Sequence, residues 1–471
     1  MVMSASSRPS RPDPDALTRA LGALRDHFGD RLSTAPGVCD QHGRDPSYHA
    51  PARPDAVVFA DSTDDVQRAV AVCAEHRIPV IPFGAGTSLE GHVAALFGGV
   101  SIDMNEMKRV VRLHAEDFDV TVQAGTTREQ LDRYLRPHGL FFPIDPGANA
   151  TLGGMASTRA SGTNAVRYGT MRESVLGLEV VLPDGRVIHT GTRARKSAAG
   201  YDLTRLFVGA EGTLGVITEL TLRVHGVPEH VAAAVCGFPD LNSAAEAVIE
   251  VIQWGVPIAR IELLDELSVD AVNRYSRLDH SLQPTLFFEF HGSERGVAEQ
   301  VEVVERVAAE HGGQGFRWAN TPAERERLWK ARHDAYFAAC ALAPDKDGIT
   351  TDVCVPISRL AECVTATKRD LVDAGLLGPI VGHVGDGNFH VIMLVDPDDA
   401  AEVERAHRVH ERMVRRALDM DGTCTGEHGI GSGKIDFLAA EHGPAVELMH
   451  ALKQAVDPHG IMNPGKMLPP R

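Results

Sequence analysis

Two apolar, β-prone runs joined by a glycine-rich turn restrict the fold of this 471-residue chain more than any other feature. The runs span residues 380–384 and 389–395, and the Asp-Gly dipeptide between them is preferred in two-residue type I′ turns. The pattern predicts an antiparallel hairpin in which His383 lies opposite His390 on one face of a sheet. Two opposed imidazoles form half of a divalent-metal site. A slipped register would separate them, and two ordinary strand histidines are the alternative.

A second glycine-rich segment, residues 422–431, contains the residues that such a site lacks. It has no helical period, and its glycines indicate close approach of the backbone to a ligand. The carboxylate of Glu427 would complete a site of two histidines and one carboxylate. His428 would point to the other side of an extended chain, where it is a candidate general base. A surface loop with a solvated Glu-His pair is the alternative.

Four loops rich in Gly, Thr and Ser occur in the first half of the chain. They span residues 82–91, 146–154, 160–169 and 209–215. The first follows a short strand, but it lacks the third Gly of a dinucleotide fingerprint and the Lys-Ser/Thr of a P-loop. Its backbone N–H groups can still bind a pyrophosphate. One such loop would be an ordinary turn, whereas four predict an extended ligand held largely by main chain.

The pattern of strands and helices predicts an α+β fold. A leading helix is expected from Asp15 to Phe28, followed by a βαβ-like stretch over residues 56–82. Residues 225–228 resemble a domain boundary. Beyond it, further alternation of strands and helices predicts a second α+β sheet domain with helices on one face.

Charge and cysteine usage narrow the classes of function and location. The formal net charge is −17, which argues against a nucleic-acid binder. No apolar run is long enough for a transmembrane helix. Seven scattered cysteines without a C-x-x-C pair favour a reducing compartment. We therefore expect a cytoplasmic protein, either free or peripheral to a membrane. Residues 1–14 are predicted to form a disordered tail; a mitochondrial transit peptide is less favoured, because Asp13 and Asp15 interrupt its positive charge.

Eight motifs, in this order, resemble those of the FAD-linked oxidase family with the vanillyl-alcohol-oxidase (PCMH-type) fold, and within it the D-lactate dehydrogenase (cytochrome) branch. They are FGAGTSLEGH, DPGANATLGG, SGTNAVRYGTM, GAEGTLGVIT, TTDVCVP, GHVGDGNFH, GTCTGEHGIG and MNPGK. The resemblance runs from about Pro51 to the C-terminus. It implies a PCMH-type two-subdomain FAD-binding domain over residues 51–226. It also implies an α+β cap with an antiparallel sheet and the metal site over residues 227–425, and a segment over residues 426–471 that returns to the flavin. Residues 1–50 are then the tail and leading helix.

The resemblance also assigns roles to individual residues. The flavin contacts would be Pro82, Gly84, Gly86, Thr87, Ser88, Pro146, Gly147, Thr151, Gly153, Gly154, Ser157, Gly162, Tyr168, Gly212, Gly215, Ile217 and Asn463. The metal ligands would be His383, His390 and Glu427, with His428 as the catalytic base. Arg332 would grip the substrate carboxylate, and Asn388 would steady the turn or touch the substrate. Without the resemblance, Arg332 could equally form a helix-surface salt bridge.

The reaction that the resemblance implies is oxidation of D-lactate, or another small D-2-hydroxy acid, to the 2-oxo acid. Noncovalently bound FAD would receive the hydride at N5, and the divalent metal would be Zn or Mn. A cytochrome, a quinone or a flavoprotein would accept the electrons, and a homodimer is the expected assembly. A D-2-hydroxyglutarate dehydrogenase and a glycolate oxidase subunit are alternatives within the family. A flavin-free metallohydrolase built on the three metal ligands and a noncatalytic partner subunit are alternatives from other classes.

Overall fold

The structure, a computed structural model, describes residues 10–470, so most of the predicted tail lies outside the described residues. The chain divides into two compact units. The first contains the described residues up to Ala160, then Thr170–Gly226, and the chain from Glu427 onward. The second contains Ser161–Gly169 and Val227–Gly426.

The helices begin close to the capping signals in the sequence. Their bounds are α1 Pro14–Phe28, α2 Pro36–His42, α3 Thr63–His76, α4 Arg128–Leu135, α5 Leu152–Thr158, α6 Ala165–Tyr168, α7 Met171–Ser174, α8 Leu203–Phe207, α9 Leu241–Gln253, α10 Glu266–Ser276, α11 Glu294–Glu310, α12 Pro322–Ala341, α13 Leu360–Ala374, α14 Ala400–Asp419, α15 Ile435–His442 and α16 Ala445–Val456. Ser62 illustrates the caps, because its side chain accepts a hydrogen bond from Asp65 N at the start of α3. The predicted leading helix is confirmed as α1.

The strands are short in the first unit and longer in the second. Their bounds are β1 Leu32–Ser33, β2 Ala56–Phe59, β3 Val80–Phe83, β4 Val100–Asp103, β5 Val110–His114, β6 Asp119–Gln123, β7 Leu140–Phe141, β8 Val175–Val181, β9 Val187–Gly191, β10 Val216–Arg223, β11 His225–Gly226, β12 His230–Gly237, β13 Arg260–Leu264, β14 Thr285–Gly292, β15 Gln314–Ala319, β16 Asp347–Thr350, β17 Val353–Cys354, β18 Ile380–Gly382 and β19 Asn388–Val395. With the helices, they confirm the predicted α+β fold.

The first unit contains two main sheets. One has the order β1-β2-β4-β3, with β2 and β3 both parallel to β4, as a βαβ crossover through α3 requires. The other is antiparallel, with the order β5-β6-β10-β8-β9. The C-terminal segment returns to the first sheet, where Met462 pairs with Val80 and Asn463 N donates to Val80 O at 2.9 Å. The end of the chain therefore lies beside the strand that leads into the first glycine-rich loop.

The second unit is built on an antiparallel sheet of order β15-β12-β14-β13-β18-β19-β16, to which β17 adds by pairing with β19. Trp329 and Ala335 of α12 pack with Leu264, Val381 and Ile392 in an apolar cluster. Side chains alternate between faces along a strand, so residues two positions further along share a face with this cluster. Polar side chains two positions from these strand residues therefore lie at the end of the apolar face.

The predicted hairpin forms, but its predicted turn and register are wrong. His390 pairs with Val381, not with His383, and residues 384–386 form a 3₁₀ turn. Asp386 N and Asn388 N both donate to His383 O, at 3.0 and 3.3 Å. The reason is tertiary, since β17 pairs with the start of β19 and Val355 N donates to Gly387 O at 3.0 Å. A third strand, invisible to a two-strand pattern, therefore determines where the turn lies.

Candidate active site

The glycine-rich loops of the first unit pack closely on one another. A Cβ at Gly84 would lie 2.2 Å from Thr151 Oγ1, and a Cβ at Gly212 would lie 2.9 Å from Pro82 Cγ. Gly212 also has φ of +72°, a backbone conformation that L residues rarely adopt. Three of the four predicted loops therefore meet, with space for backbone and almost none for side chains. Such a cradle fits a phosphate-containing cofactor bound by main-chain N–H groups.

Other predicted flavin residues lie on the elements around this cradle. Ser157 on α5 donates from Oγ to Gly153 O at 2.8 Å, and Ile217 is buried in β10. Asn463 donates from Nδ2 to Glu211 O at 2.8 Å, which ties the C-terminus to the loop at residues 209–215. Two further residues predicted to contact the flavin, Gly162 and Tyr168, belong to the second unit, and their role stays a prediction. There the Tyr168 hydroxyl hydrogen-bonds His291 Nδ1 at 2.8 Å.

The two predicted metal-binding histidines are neighbours despite the changed register. Their ring centroids are 5.5 Å apart and both side chains are buried. His390 lies opposite Val381, and His383 is two residues beyond Val381, so the rings meet diagonally. His383 Nδ1 is 2.8 Å from Glu262 Oε1, and His390 Nδ1 is 3.0 Å from Thr351 O. Because Nδ1 of each ring is held by the protein, Nε2 is the atom that can bind a metal, as in most metal-binding histidines.

Glu262 links His383 to Arg332, the arginine predicted to bind the substrate carboxylate. Arg332 donates from Nε to Glu262 Oε2 at 2.6 Å, and the other carboxylate oxygen contacts His383. Glu262 is completely buried. Burial alone would raise the pKa of its carboxyl, but His383 and Arg332 outweigh burial and hold the pKa below its usual range. Within the described residues the terminal guanidinium nitrogens of Arg332 have no hydrogen-bond partner, so they can bind a carboxylate in a fork.

Asn388 stabilises the turn through its amide nitrogen. Nδ2 donates to Asp352 Oδ1 at 2.7 Å and to Val353 O at 2.8 Å. A Cβ on Gly426 would lie 2.2 Å from this Nδ2, and Thr425 donates from Oγ1 to Asp352 at 2.8 Å. The last residues of the second unit therefore lie against Asn388, two positions from His390, and Glu427 is the next residue in the chain. Substrate contact by Asn388 stays a prediction.

In the first unit, two carboxylates hold the segment that begins with Glu427 and His428. Glu211 accepts hydrogen bonds from Ile430 N at 2.7 Å and from Gly431 N at 2.8 Å. His92 Nε2 lies 3.2 Å from the same carboxylate. Burial would lower the pKa of the His92 imidazole, yet Glu211 outweighs it and the pKa is raised.

The second carboxylate, Glu90, lies near the end of the first glycine-rich loop. Its Oε1 lies 3.0 Å from Lys434 Nζ and 3.9 Å from His428 Nδ1, and its Oε2 lies 3.5 Å from His49 Nε2. Burial raises the pKa of the Glu90 carboxyl, but Lys434, His49 and His428 together lower it to about 2. Glu90 is therefore a fixed negative charge beside His428.

The sequence analysis did not identify these buried carboxylates as site residues. A usable signal existed for Glu262, a charged residue inside the β-prone run Arg-Ile-Glu-Leu-Leu. Fully buried charges are rare unless they are paired, so a charge in a core strand predicts a partner. Glu90 and Glu211 lie in loops, where a carboxylate is ordinarily solvated, and their sequence context carried no such signal.

Comparison with known proteins agrees with both halves of this architecture. A family described as FAD binding domain matches residues 54–191, and one described as FAD linked oxidases, C-terminal domain, matches residues 227–467. The chain is 54% identical to a probable mitochondrial D-lactate dehydrogenase of Danio rerio, over 98% of this chain and 94% of that protein. It is 48% identical to a mitochondrial D-lactate dehydrogenase [cytochrome] of Arabidopsis thaliana, over 96% of this chain and 80% of that protein. The crystal structure of p-cresol methylhydroxylase with substrate bound superimposes with a TM-score of 0.78 at 19% identity, covering 98% of each chain.

The chain belongs to the FAD-linked oxidase family, an α+β family with a PCMH-type FAD-binding domain. The resemblance drawn from the eight motifs is thereby confirmed. Among the described residues, no helix combines the length and the hydropathy needed to cross a bilayer.

Proposed function

We propose that this protein is an FAD- and divalent-metal-dependent D-lactate dehydrogenase. Its substrates are D-lactate and other small D-2-hydroxy acids, and its products are the 2-oxo acids. The names of the two relatives above support the substrate. The observation that carries the proposal is the Glu262 carboxylate, which holds His383 with one oxygen and Arg332 with the other. A candidate metal ligand and a candidate carboxylate-binding cation thus lie side by side.

The proposed metal ligands are His383, His390 and Glu427. Two buried imidazoles held at Nδ1 fit a borderline metal such as Zn or Mn, and a carboxylate would complete the set. A metal in this place lowers the pKa of a bound hydroxyl group. The position of Gly426 against Asn388 supports Glu427 as the third ligand, since Glu427 follows directly in the chain.

The remaining roles fall to Arg332 and His428. Arg332 orients the substrate carboxylate through its terminal guanidinium nitrogens. His428 takes the substrate hydroxyl proton at Nε2. When bound noncovalently in the first unit, FAD supplies the acceptor at N5 for the hydride that leaves C2. Loss of that proton and hydride converts D-lactate to pyruvate.

A cytochrome is the proposed electron acceptor, because the name of the Arabidopsis relative specifies one. The same names place both relatives in mitochondria, which supports the mitochondrial alternative for this chain; the cytoplasmic location stays a prediction. A homodimer also stays a prediction. The FAD-binding family removes the basis for a flavin-free metallohydrolase.

The test is anaerobic reduction of the yellow holoenzyme by D-lactate, L-lactate, glycolate and D-2-hydroxyglutarate in parallel. We expect D-lactate to bleach the flavin fastest. In His428→Ala, flavin reduction should slow by about 10²–10⁴-fold while FAD content is unchanged, because general-base catalysis is lost. Faster bleaching by D-2-hydroxyglutarate or glycolate would establish one of the two alternatives within the family. An undiminished rate in His428→Ala would show that His428 is not the base.

A further inference from the structure

Glu90 is a buried acid that the proposed reaction does not yet use. It is 3% exposed, and its carboxylate is directed at residues 428–434 rather than at solvent. Lys434, itself 1% exposed, lies 3.0 Å from Oε1. His428 Nδ1 lies 3.9 Å from the same oxygen. One carboxylate oxygen thus faces both the candidate base and a buried cation.

The backbone around Glu90 keeps this arrangement in place. Glu90 O accepts a hydrogen bond from Ser432 N at 2.8 Å. A Cβ on Gly431 would lie 2.0 Å from Glu90 O, and a Cβ on Gly433 would lie 2.5 Å from Glu90 Oε2. The chain beyond His428 is therefore packed directly on the backbone and carboxylate of Glu90.

We propose that Glu90 is a positioning residue for His428. Its carboxylate oxygen faces the Nδ1 edge of the imidazole at 3.9 Å, so that Nε2 is the nitrogen presented to the substrate hydroxyl group. The proton passes from that hydroxyl to Nε2, and Glu90 forms and breaks no bond and stays ionised throughout. This inference rests on the proposed role of His428 as the base.

Lys434 has a separate task, which is to neutralise Glu90 in a buried environment. Removing one charge of a buried ion pair is strongly destabilising, so Glu90→Gln alone, which takes this carboxylate away from Lys434, should lower Tm. Combining Glu90→Gln with Lys434→Met removes both charges and should restore much of the lost Tm. The double variant therefore separates the stability of the ion pair from the positioning of His428.

The experiment measures FAD content, Tm and anaerobic flavin reduction by D-lactate in the Glu90→Gln/Lys434→Met holoenzyme. We expect FAD to be retained and the limiting reduction rate to fall by about 10- to 100-fold. This loss is smaller than the ~10⁴-fold seen when a directly bonded carboxylate of a catalytic triad is replaced. The half-saturating D-lactate concentration should change little, because substrate binding uses other residues. Asp119→Asn is the matched control, since Asp119 is also buried in the first unit and ion-paired, with Arg193 at 2.9 Å.

A double-mutant comparison provides a readout that a purely structural role would not produce. In a His428→Ala background, Glu90→Gln/Lys434→Met should cause no further slowing, because residues that act as a unit are not additive. Additive slowing, wild-type reduction by the double variant, or slowing only in proportion to lost FAD would overturn the proposal. So would an equal loss of limiting rate in Asp119→Asn. If the flavin of His428→Ala is reduced at the wild-type rate, the proposed role of His428 as the general base is wrong. If His428→Ala is slow and the double variant is not, only the role of Glu90 is wrong.

Discussion

Glu262 in the second unit and Glu90 in the first each hold a cation and a histidine, but they do so from different structural elements. Glu262 projects from the central strand β13, with both contacts at or below 2.8 Å. Glu90 lies near the end of the first glycine-rich loop, and Lys434, His49 and His428 lie 3.0 to 3.9 Å from its carboxylate. Pairing with β14 fixes the backbone at Glu262, and pairing with β18 fixes the next two residues. Glu90 instead depends on glycines that let the C-terminal segment approach.

The two carboxylates therefore lie at different distances from their histidines. Metal ligands and a carboxylate-binding arginine require narrow geometry, which a strand supplies through short bonds. The contact between Glu90 and the proposed general base His428 is longer, at 3.9 Å. Four experiments test or sharpen this contrast.

Of the four experiments, removal of divalent ions should have the largest effect on D-lactate turnover. We expect a chelator to abolish D-lactate turnover while the flavin absorbance remains, because the proposed metal ligands His383 and His390 lie in the second unit and the loops proposed to bind FAD lie in the first. Added Zn²⁺ or Mn²⁺ should restore turnover, and steady-state dye reduction measures both steps. Full activity in a preparation shown by elemental analysis to be metal-free would remove the metal from the mechanism.

Glu262→Gln should be the most damaging single change in the second unit. It leaves Arg332 and His383 without their shared anion, which we expect to lower unfolding free energy by about 3–5 kcal/mol and metal affinity by about 10- to 100-fold. Chemical denaturation and metal titration measure the two effects. Glu289→Gln is the matched control, because Glu289 is also buried on the same sheet and contacts Arg260 at 3.4 Å and His291 at 2.9 Å. Equal loss of metal in both variants would show that Glu262 has no special role.

The lowered pKa of Glu90 should make the stability of the protein depend on pH in the acid range. The pKa of Glu90 is lowered from 4.5 to about 2, so the folded state binds its proton less readily than the unfolded state. Its stabilisation is then present above about pH 4.5 and is lost as pH falls towards 2, a loss of about 3 kcal/mol. Urea denaturation at several pH values should show a steeper decline for wild type than for Glu90→Gln/Lys434→Met. Parallel declines would mean that Glu90 is not a strongly held anion.

A substitution in the turn between His383 and His390 should have the smallest effect on the free energy of unfolding. Gly387 has φ of +80°, and an added Cβ would lie 2.1 Å from Val355 O, so Gly387→Ala combines strain with a backbone clash. We expect a loss of at least about 2 kcal/mol in unfolding free energy together with weaker metal binding. Gly375→Ala is the control, with φ of +61° and nothing within 4 Å of its Cβ, and should cost about 1 kcal/mol. Thermal and urea denaturation of both variants distinguish them, and equal losses would contradict the clash.

Much of the fold was predictable from local pattern. The α+β class and the leading helix follow from capping residues and apolar spacing, which are local properties. The pairing of His383 with His390 was predicted with the wrong register, because β17 determines the turn and lies about thirty residues earlier in the chain. The flavin loops were predicted as a group, yet Gly162 and Tyr168 lie with the second unit.

The sequence by itself determined the family, because ordered motifs are properties of the chain, and it supplied the candidate site residues, whose roles stay predictions. Only the tertiary structure decided which anions support them. Glu262 lies 70 residues before Arg332 and 121 before His383, and no spacing rule connects residues that far apart. A carboxylate acquires its role from the charges that folding brings within a few ångströms while water is excluded, and that arrangement exists only in the folded protein.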